Sequence, residues 1–165
     1  MMRFAGFFLA LFLFAATPSC SSDTPPDDGA KSAPNFVLTT AEGRTVELKK
    51  LEGSVVVLNF WATWCPPCRA EIPGMLEVYD KYRGEGLEIV GIALDRDGWN
   101  VVTPFVERMN ISYPVVLGGW EIVQQYGGIS AIPTTFILDR KGNVVKGHVG
   151  YLSKEDLEGI VRKLL

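Results

Sequence analysis

The chain has 165 residues, three of them cysteine, and its 16 Lys and Arg against 19 Asp and Glu leave a formal net charge of −3. That acidic balance excludes a nucleic-acid partner, because gripping a phosphate backbone needs a basic face. Residues 35–165, rich in Val, Ile, Leu and Phe and free of repeats or long charge runs, suffice for one domain with one core.

The chain opens with the pattern of an export signal. Arg3 supplies a positive charge, residues 4–16 form a small and apolar run, and Thr17-Pro18-Ser19-Cys20 follows. The run is shorter than the ~20 apolar residues a bilayer span needs, so residues 1–19 are expected to be a signal peptide. Cys20 directly after it resembles the lipobox of bacterial lipoproteins, with Ser19 fitting that pattern and Thr17 standing where it prefers Leu. The resemblance implies acylation of Cys20 and attachment to a membrane by lipid, whereas ordinary cleavage nearby leaves Cys20 a stray thiol. Residues 20–34 carry no large apolar side chain and cannot offset the entropy of ordering. They are expected to form a flexible tether reaching on the order of 20 Å.

Residues 36–40 and 45–48 flank Ala41-Glu42-Gly43-Arg44 and read as an N-terminal hairpin. Val55 to Trp61 is a continuous apolar run, the pattern of a strand covered on both faces. Residues 66–82 carry Ile72, Met75, Leu76 and Tyr79 at helical spacing, and residues 87–94 are a second apolar strand. Together they make a βαβ unit with parallel strands. A helix follows at 100–109, where Thr103 and Pro104 mark its start or a kink, then a strand at 115–117 and a short helix at 120–126 ending at Gly127-Gly128. Strands at 134–138 and 144–149 bracket Asp139-Arg140-Lys141-Gly142-Asn143, a hairpin loop. Ser153 caps a closing helix with Leu157, Ile160, Val161 and Leu164 on one face. The order predicts an α/β fold, a mixed sheet with helices on both faces.

The chemistry concentrates in Trp64-Cys65-Pro66-Pro67-Cys68, where a buried strand runs into a Cys-x-x-Cys at the mouth of a helix. Unsatisfied amides and the helix dipole favour a thiolate there, so Cys65 is expected to be the exposed nucleophile. Cys68, one turn further in, is placed to resolve a mixed disulfide. A structural zinc site needs four ligands, and the domain offers no second cysteine pair and only His148 as histidine. Haem attachment fails because Arg69 follows Cys68. A buried inert pair stays open. Pro133 heads an apolar strand where it cannot donate to the ladder; the residues allow a cis Ile132–Pro133 bond and an ordinary trans edge proline alike. Pro66 and Pro67 remove two backbone donors near Cys65, which makes a less stabilised thiolate and a poorer oxidant. His148 reads as a strand-end surface group, Phe60 and Trp61 as packing, and Trp64 as a shield over Cys65 that meets partners.

The strand, the Trp-Cys-x-x-Cys and the later Ile-Pro-Thr resemble the thioredoxin fold. Residues 64–73, Trp-Cys-Pro-Pro-Cys-Arg-Ala-Glu-Ile-Pro, resemble its exported, membrane-tethered TlpA/ResA-like branch, as do the hairpin and the insertion around 95–117. The resemblance implies a thioredoxin-like fold and a thiol:disulfide oxidoreductase outside the cytoplasm, needing no cofactor beyond the Cys65–Cys68 pair; that it works as a reductant is expected from Pro66 and Pro67. Pro133 matches the cis-proline opposite the cysteines, and Ile132 the backbone that pairs with a client chain; Trp64, Pro66 and Pro67 complete the client-facing surface. Glu71 matches an acidic residue that influences thiol protonation, though as a helix residue it also reads as a solvated carboxylate. Asn59 stands where thioredoxins bury an Asp, so a proton for Cys68 has to pass through Glu71 or water. The implied partners are protein disulfides and dithiols, apocytochromes during haem attachment among them, and a membrane thiol donor of the DsbD/CcdA type.

Two other functions fit part of the pattern. Peroxiredoxins share the hairpin and much of the topology, but their peroxidatic cysteine follows a Thr-x-x pattern from which Thr63 is offset. A non-catalytic module delivering Cu(I) would use both thiolates as soft ligands.

Overall fold

A computed structural model describes residues 1–2 and 31–165; the expectations for the signal peptide, for Cys20 and for most of the tether lie outside the described residues. Residues at the tether's far end are pinned to the body, with Ala33 N–H donating to Gly142 O at 3.0 Å and Val144 N–H to Lys31 O at 3.0 Å.

The hairpin forms as the sequence predicts, β1 (Val37–Thr39) pairing antiparallel with β2 (Thr45–Glu47). It stands apart from a five-stranded sheet made of β3 (Val55–Trp61), β4 (Leu87–Ala93), β5 (Val115–Leu117), β6 (Thr134–Leu138) and β7 (Val144–Val149). The sheet order is β5-β4-β3-β6-β7, and it is mixed: β3 runs parallel to β4 and antiparallel to β6. Every residue of β3 is buried, which is why its sequence runs apolar on both faces with Asn59 its one polar residue.

Alternation within β3 divides the core in two. Val55, Val57 and Trp61 point to the face covered by α1 (Pro66–Tyr82), α2 (Trp99–Met109) and α4 (Lys154–Leu164). Val56, Leu58 and Phe60 point to the other face, under the hairpin and α3 (Trp120–Gln125). Helices on both faces are as expected. Pro104 lies inside α2, not at its start, because the helix already begins at Trp99 after Gly98, whose φ of 57° turns the chain into it. Ser153 caps α4 as predicted, its Oγ accepting from Asp156 N–H at 3.1 Å and donating to Asp156 Oδ2 at 2.7 Å.

One row of residues crosses the sheet in register: Gly91 on β4, Asn59 on β3, Thr135 on β6 and His148 on β7. Residues opposite one another share a face. This row lies on the Trp61 side, beneath α1 and α4.

Candidate active site

Cys65 is the N-cap of α1, and Pro66 and Pro67 occupy its first two helical positions. Proline is tolerated there because those N–H groups have no partner inside the helix. The helix begins at the end of β3, so a fully buried strand fixes where the cysteines emerge. Cys65 and Cys68 are joined in a disulfide, with 5.3 Å between Cα atoms. Cys65 Sγ accepts from Cys68 N–H at 3.3 Å.

The expectation of an exposed Cys65 is corrected: the residue is 2% exposed. In the bridged state its sulfur turns inward to Cys68 and lies 3.8 Å from Ile132 O. Trp64 is 67% exposed, so its indole stands out in solvent and does not form a tight cover. Pro66 and Pro67 are exposed beside it. The Ile132–Pro133 bond is cis, and Ile132 O faces the disulfide. Cys65, Cys68, Trp64, Pro66, Pro67, Ile132 and Pro133 thus come together at one end of the sheet.

Glu71 belongs to this group from below. A solvated helix carboxylate is not what the structure holds, since Glu71 is 2% exposed. It follows Cys68 by three residues and precedes Met75 by four, which puts it on the buried stripe of α1. Asn59 Nδ2 donates to Glu71 Oε1 at 2.8 Å, and Leu152 N–H donates to Oε2 at 3.1 Å. Burial pushes the carboxyl up to about 7, and the donors Leu152 N–H and Asn59 Nδ2 oppose that rise without cancelling it. A carboxyl so placed exchanges its proton near neutral pH, the property a proton carrier for a thiol needs.

Two participants have no signal in the sequence. Thr135, fully buried, takes a second hydrogen bond from Asn59 Nδ2 at 3.0 Å. Leu152 contributes only its backbone. The first would be found by asking which strand pairs with Asn59; the second depends on a contact 81 residues apart. Thr63, offset from the peroxidase pattern, has its hydroxyl engaged with Asp95 Oδ1 at 2.5 Å while its N–H also donates to that carboxylate. Tyr113 lies buried under α1 with a hydroxyl that has no partner, and burial, then the charge of Glu71, raise its phenol above the ordinary range. Among the described residues no three His, Cys, Asp or Glu side chains converge to hold a metal ion.

Comparison with known proteins agrees with this geometry. Residues 30–146 match the model of the AhpC/TSA family. The thiol-disulfide oxidoreductase ResA of Bacillus thuringiensis (strain Al Hakam) is 46% identical over 136 residues, 81% of this chain and 77% of the relative. A crystal structure of a thiol:disulfide interchange protein of the thioredoxin family from Chlorobium tepidum TLS superposes with a TM-score of 0.78 at 36% identity, covering 84% of this chain and 99% of that one. That of a secreted Mycobacterium tuberculosis disulfide oxidoreductase, homologous to E. coli DsbE, gives 0.69 at 26% identity over 78% of this chain and 96% of the other.

Proposed function

We propose, for a chain that belongs to the AhpC/TSA family and is a ResA-like thiol-disulfide oxidoreductase, the role of an exported reductant of protein disulfides. Cys65 is the nucleophile. Its thiolate attacks a client disulfide, forming a Cys65–client bond and releasing one client thiolate. Cys68 then gives its proton to Glu71, and its thiolate attacks the Cys65 sulfur. The Cys65–Cys68 bond forms, the second client thiolate leaves, and the client has gained two electrons. Reduction of that bond by an outside dithiol, by analogy a membrane donor of the DsbD/CcdA type, resets the pair. The pair is itself the redox centre, so the reading calls for no metal or organic cofactor.

Pro133 and Ile132 present backbone opposite the pair for a client chain to lie against, and Trp64, Pro66 and Pro67 supply the apolar contact beside it. Apocytochromes awaiting haem are the client class favoured by family analogy. The secreted relative and the opening signal pattern support an extracytoplasmic location, with lipid on Cys20 as the tether. No helix among the described residues is long and apolar enough to cross a membrane.

The observation that carries the reading is the Cys65–Cys68 bond facing Ile132 O with the buried Glu71 carboxyl beneath the same helix turn. The direction follows from Pro66 and Pro67, which leave Cys68 N–H as the amide donor to Cys65 Sγ. The midpoint potential tests it: equilibration against a dithiothreitol series is expected to give a value near that of reducing members of the fold, about −270 mV, and a value near about −120 mV would make the protein an oxidant instead.

A further inference from the structure

His148 and Glu71 do not touch, yet they hydrogen-bond to opposite ends of one peptide unit. His148 Nε2 lies 3.1 Å from Tyr151 O, and the N–H of the same peptide, on Leu152, donates to Glu71 Oε2 at 3.1 Å. A carbonyl only accepts, so Nε2 carries the proton in this contact, in the neutral tautomer and the imidazolium alike. A peptide whose C=O is already accepting is a stronger N–H donor, because dipoles in a hydrogen-bonded chain polarise one another.

The placement is built by the sheet. His148 pairs in register with Thr135, and Thr135 pairs with Asn59, so Asn59, which donates to Oε1, and His148, which holds the peptide that donates to Oε2, stand in one row across β3, β6 and β7. Asn59 acts on Oε1 directly and His148 on Oε2 through the backbone. His148 and Leu152 also line a surface cavity of about 340 Å³ with Lys146 of the same strand and Glu155, Asp156 and Lys163 of α4. These are two cations and two anions, which put no net charge on that side of the carboxylate.

We propose that His148 is a positioning residue of the thiol-exchange site: through the Tyr151–Leu152 peptide it fixes Glu71 and strengthens the donor on its second oxygen. The proposal rests on the reading that Glu71 takes the Cys68 proton, and it gives the surface of β7 a means of setting how readily it does so.

The test is the titration of Glu71 itself, followed by carbon NMR of its carboxyl in the folded, oxidised protein, with exchange of the Leu152 amide as a second readout. His148→Leu keeps bulk without a donor, His148→Ala removes both, and His148→Gln carries an amide N–H to the place of Nε2. The donor-less variants are expected to raise the Glu71 midpoint by about half a pH unit and to speed Leu152 exchange several-fold, since part of one hydrogen bond is lost. His148→Gln is expected to restore both. An unmoved midpoint in either donor-less variant with an otherwise native spectrum, or a Gln variant that behaves like Leu, overturns the proposal. Because carboxyl and amide are observed directly, the result stands apart from the role given to Glu71, which fails if Glu71→Gln leaves thiol exchange and its pH profile unchanged.

Discussion

Asn59 Nδ2 lies 2.8 Å from Glu71 Oε1, so a carboxamide fixed in the middle of the sheet donates to a carboxyl fixed in the active-site helix. Its other end, Oδ1, has no hydrogen-bond partner. A carboxamide turned by half a revolution would offer Oδ1 to a protonated Glu71, and the Thr135 hydroxyl, donor and acceptor both, can follow the turn. Where a buried Asp would compete for the proton, Asn59 serves either state of Glu71 and keeps none.

Asn59→Leu removes both donations, to Glu71 and to Thr135. The carboxylate loses one of the bonds that oppose its desolvation, so its titration moves above the present value of about 7. Two buried acceptors are left short of a partner, at a cost of about 1–3 kcal/mol each at most. Urea unfolding at pH 8, where wild-type Glu71 is largely ionised, is expected to show the larger loss, and unfolding at pH 5 the smaller. Equal losses at both would show that Asn59 does not act through the charge of Glu71.

Glu71 also makes global stability depend on pH in a direction opposite to the usual carboxylate. Its folded value, about 7, exceeds the ordinary 4.5 because burial disfavours the anion. Between those values the native state holds a proton that the unfolded chain has released, so unfolding is favoured as pH rises. The stability Glu71 contributes is complete below about pH 4.5 and lost as pH climbs through 7, by about 3 kcal/mol at most. Denaturant curves from pH 4.5 to 8 are expected to show this fall in wild type and to lose it in Glu71→Gln.

The same substitution separates chemistry from packing. A proton carrier contributes about 10²–10⁴-fold to the step it serves. In Glu71→Gln, closure of the mixed disulfide by Cys68 is expected to slow into that range and to lose its dependence on pH around 7. Stopped-flow release of a client thiol measures it, and a rate within a factor of two of wild type would remove Glu71 from the mechanism.

Sequence made the scaffold of this site legible and hid its interior. Val55 to Trp61 announces a covered strand because six of its seven residues are apolar, Asn59 being the exception, and Pro66-Pro67 announces the start of α1 because prolines fit its first two positions. Both elements have the predicted bounds. Glu71 is ambiguous in the sequence because glutamate is common on helix surfaces; it is the packing of α1 on the sheet that puts the position three after Cys68 and four before Met75 on the buried stripe. Leu152 and His148 are beyond its reach: a backbone donor has no side-chain signature, and although the hairpin of β6 and β7 is legible, the register that puts His148 in line with Thr135 and Asn59 is not. The exposure expected of Cys65 assumes a free thiol, whereas the bridged sulfur faces Cys68 and Ile132.

Pro67 occupies the second helical position, whose N–H, with that of the third, is the usual donor to an N-cap side chain. Cys68 N–H fills the third-position role at 3.3 Å; proline cannot fill the other. Pro67→Ala restores it. A further amide on the Cys65 thiolate stabilises the reduced form and raises the midpoint potential, by on the order of 30 mV if the bond is worth that of a charged acceptor. A potential that stays put or falls would mean that the proline pair does not set the direction of exchange.

Gly91 stands opposite Asn59 on β4, and its missing side chain is what lets two rings lie over the strand. A Cβ there would lie 3.0 Å from Trp61 Nε1 and 3.2 Å from Tyr113 Cε2, tighter than nearly all packed Cβ contacts, so both rings would have to give by a few tenths of an ångström. Both rings are buried, Trp61 also against Phe105 with centroids 5.3 Å apart, so neither can swing to solvent to make room. Gly91→Ala therefore overpacks the layer beneath α1 and is expected to destabilise by about 1–3 kcal/mol, even though alanine ordinarily stabilises a strand relative to glycine. Displacement of Trp61 is also expected to change the near-ultraviolet circular dichroism of the native state. A variant as stable as wild type with an unchanged aromatic spectrum would show that the rings yield freely and that Gly91 is not required beside Asn59.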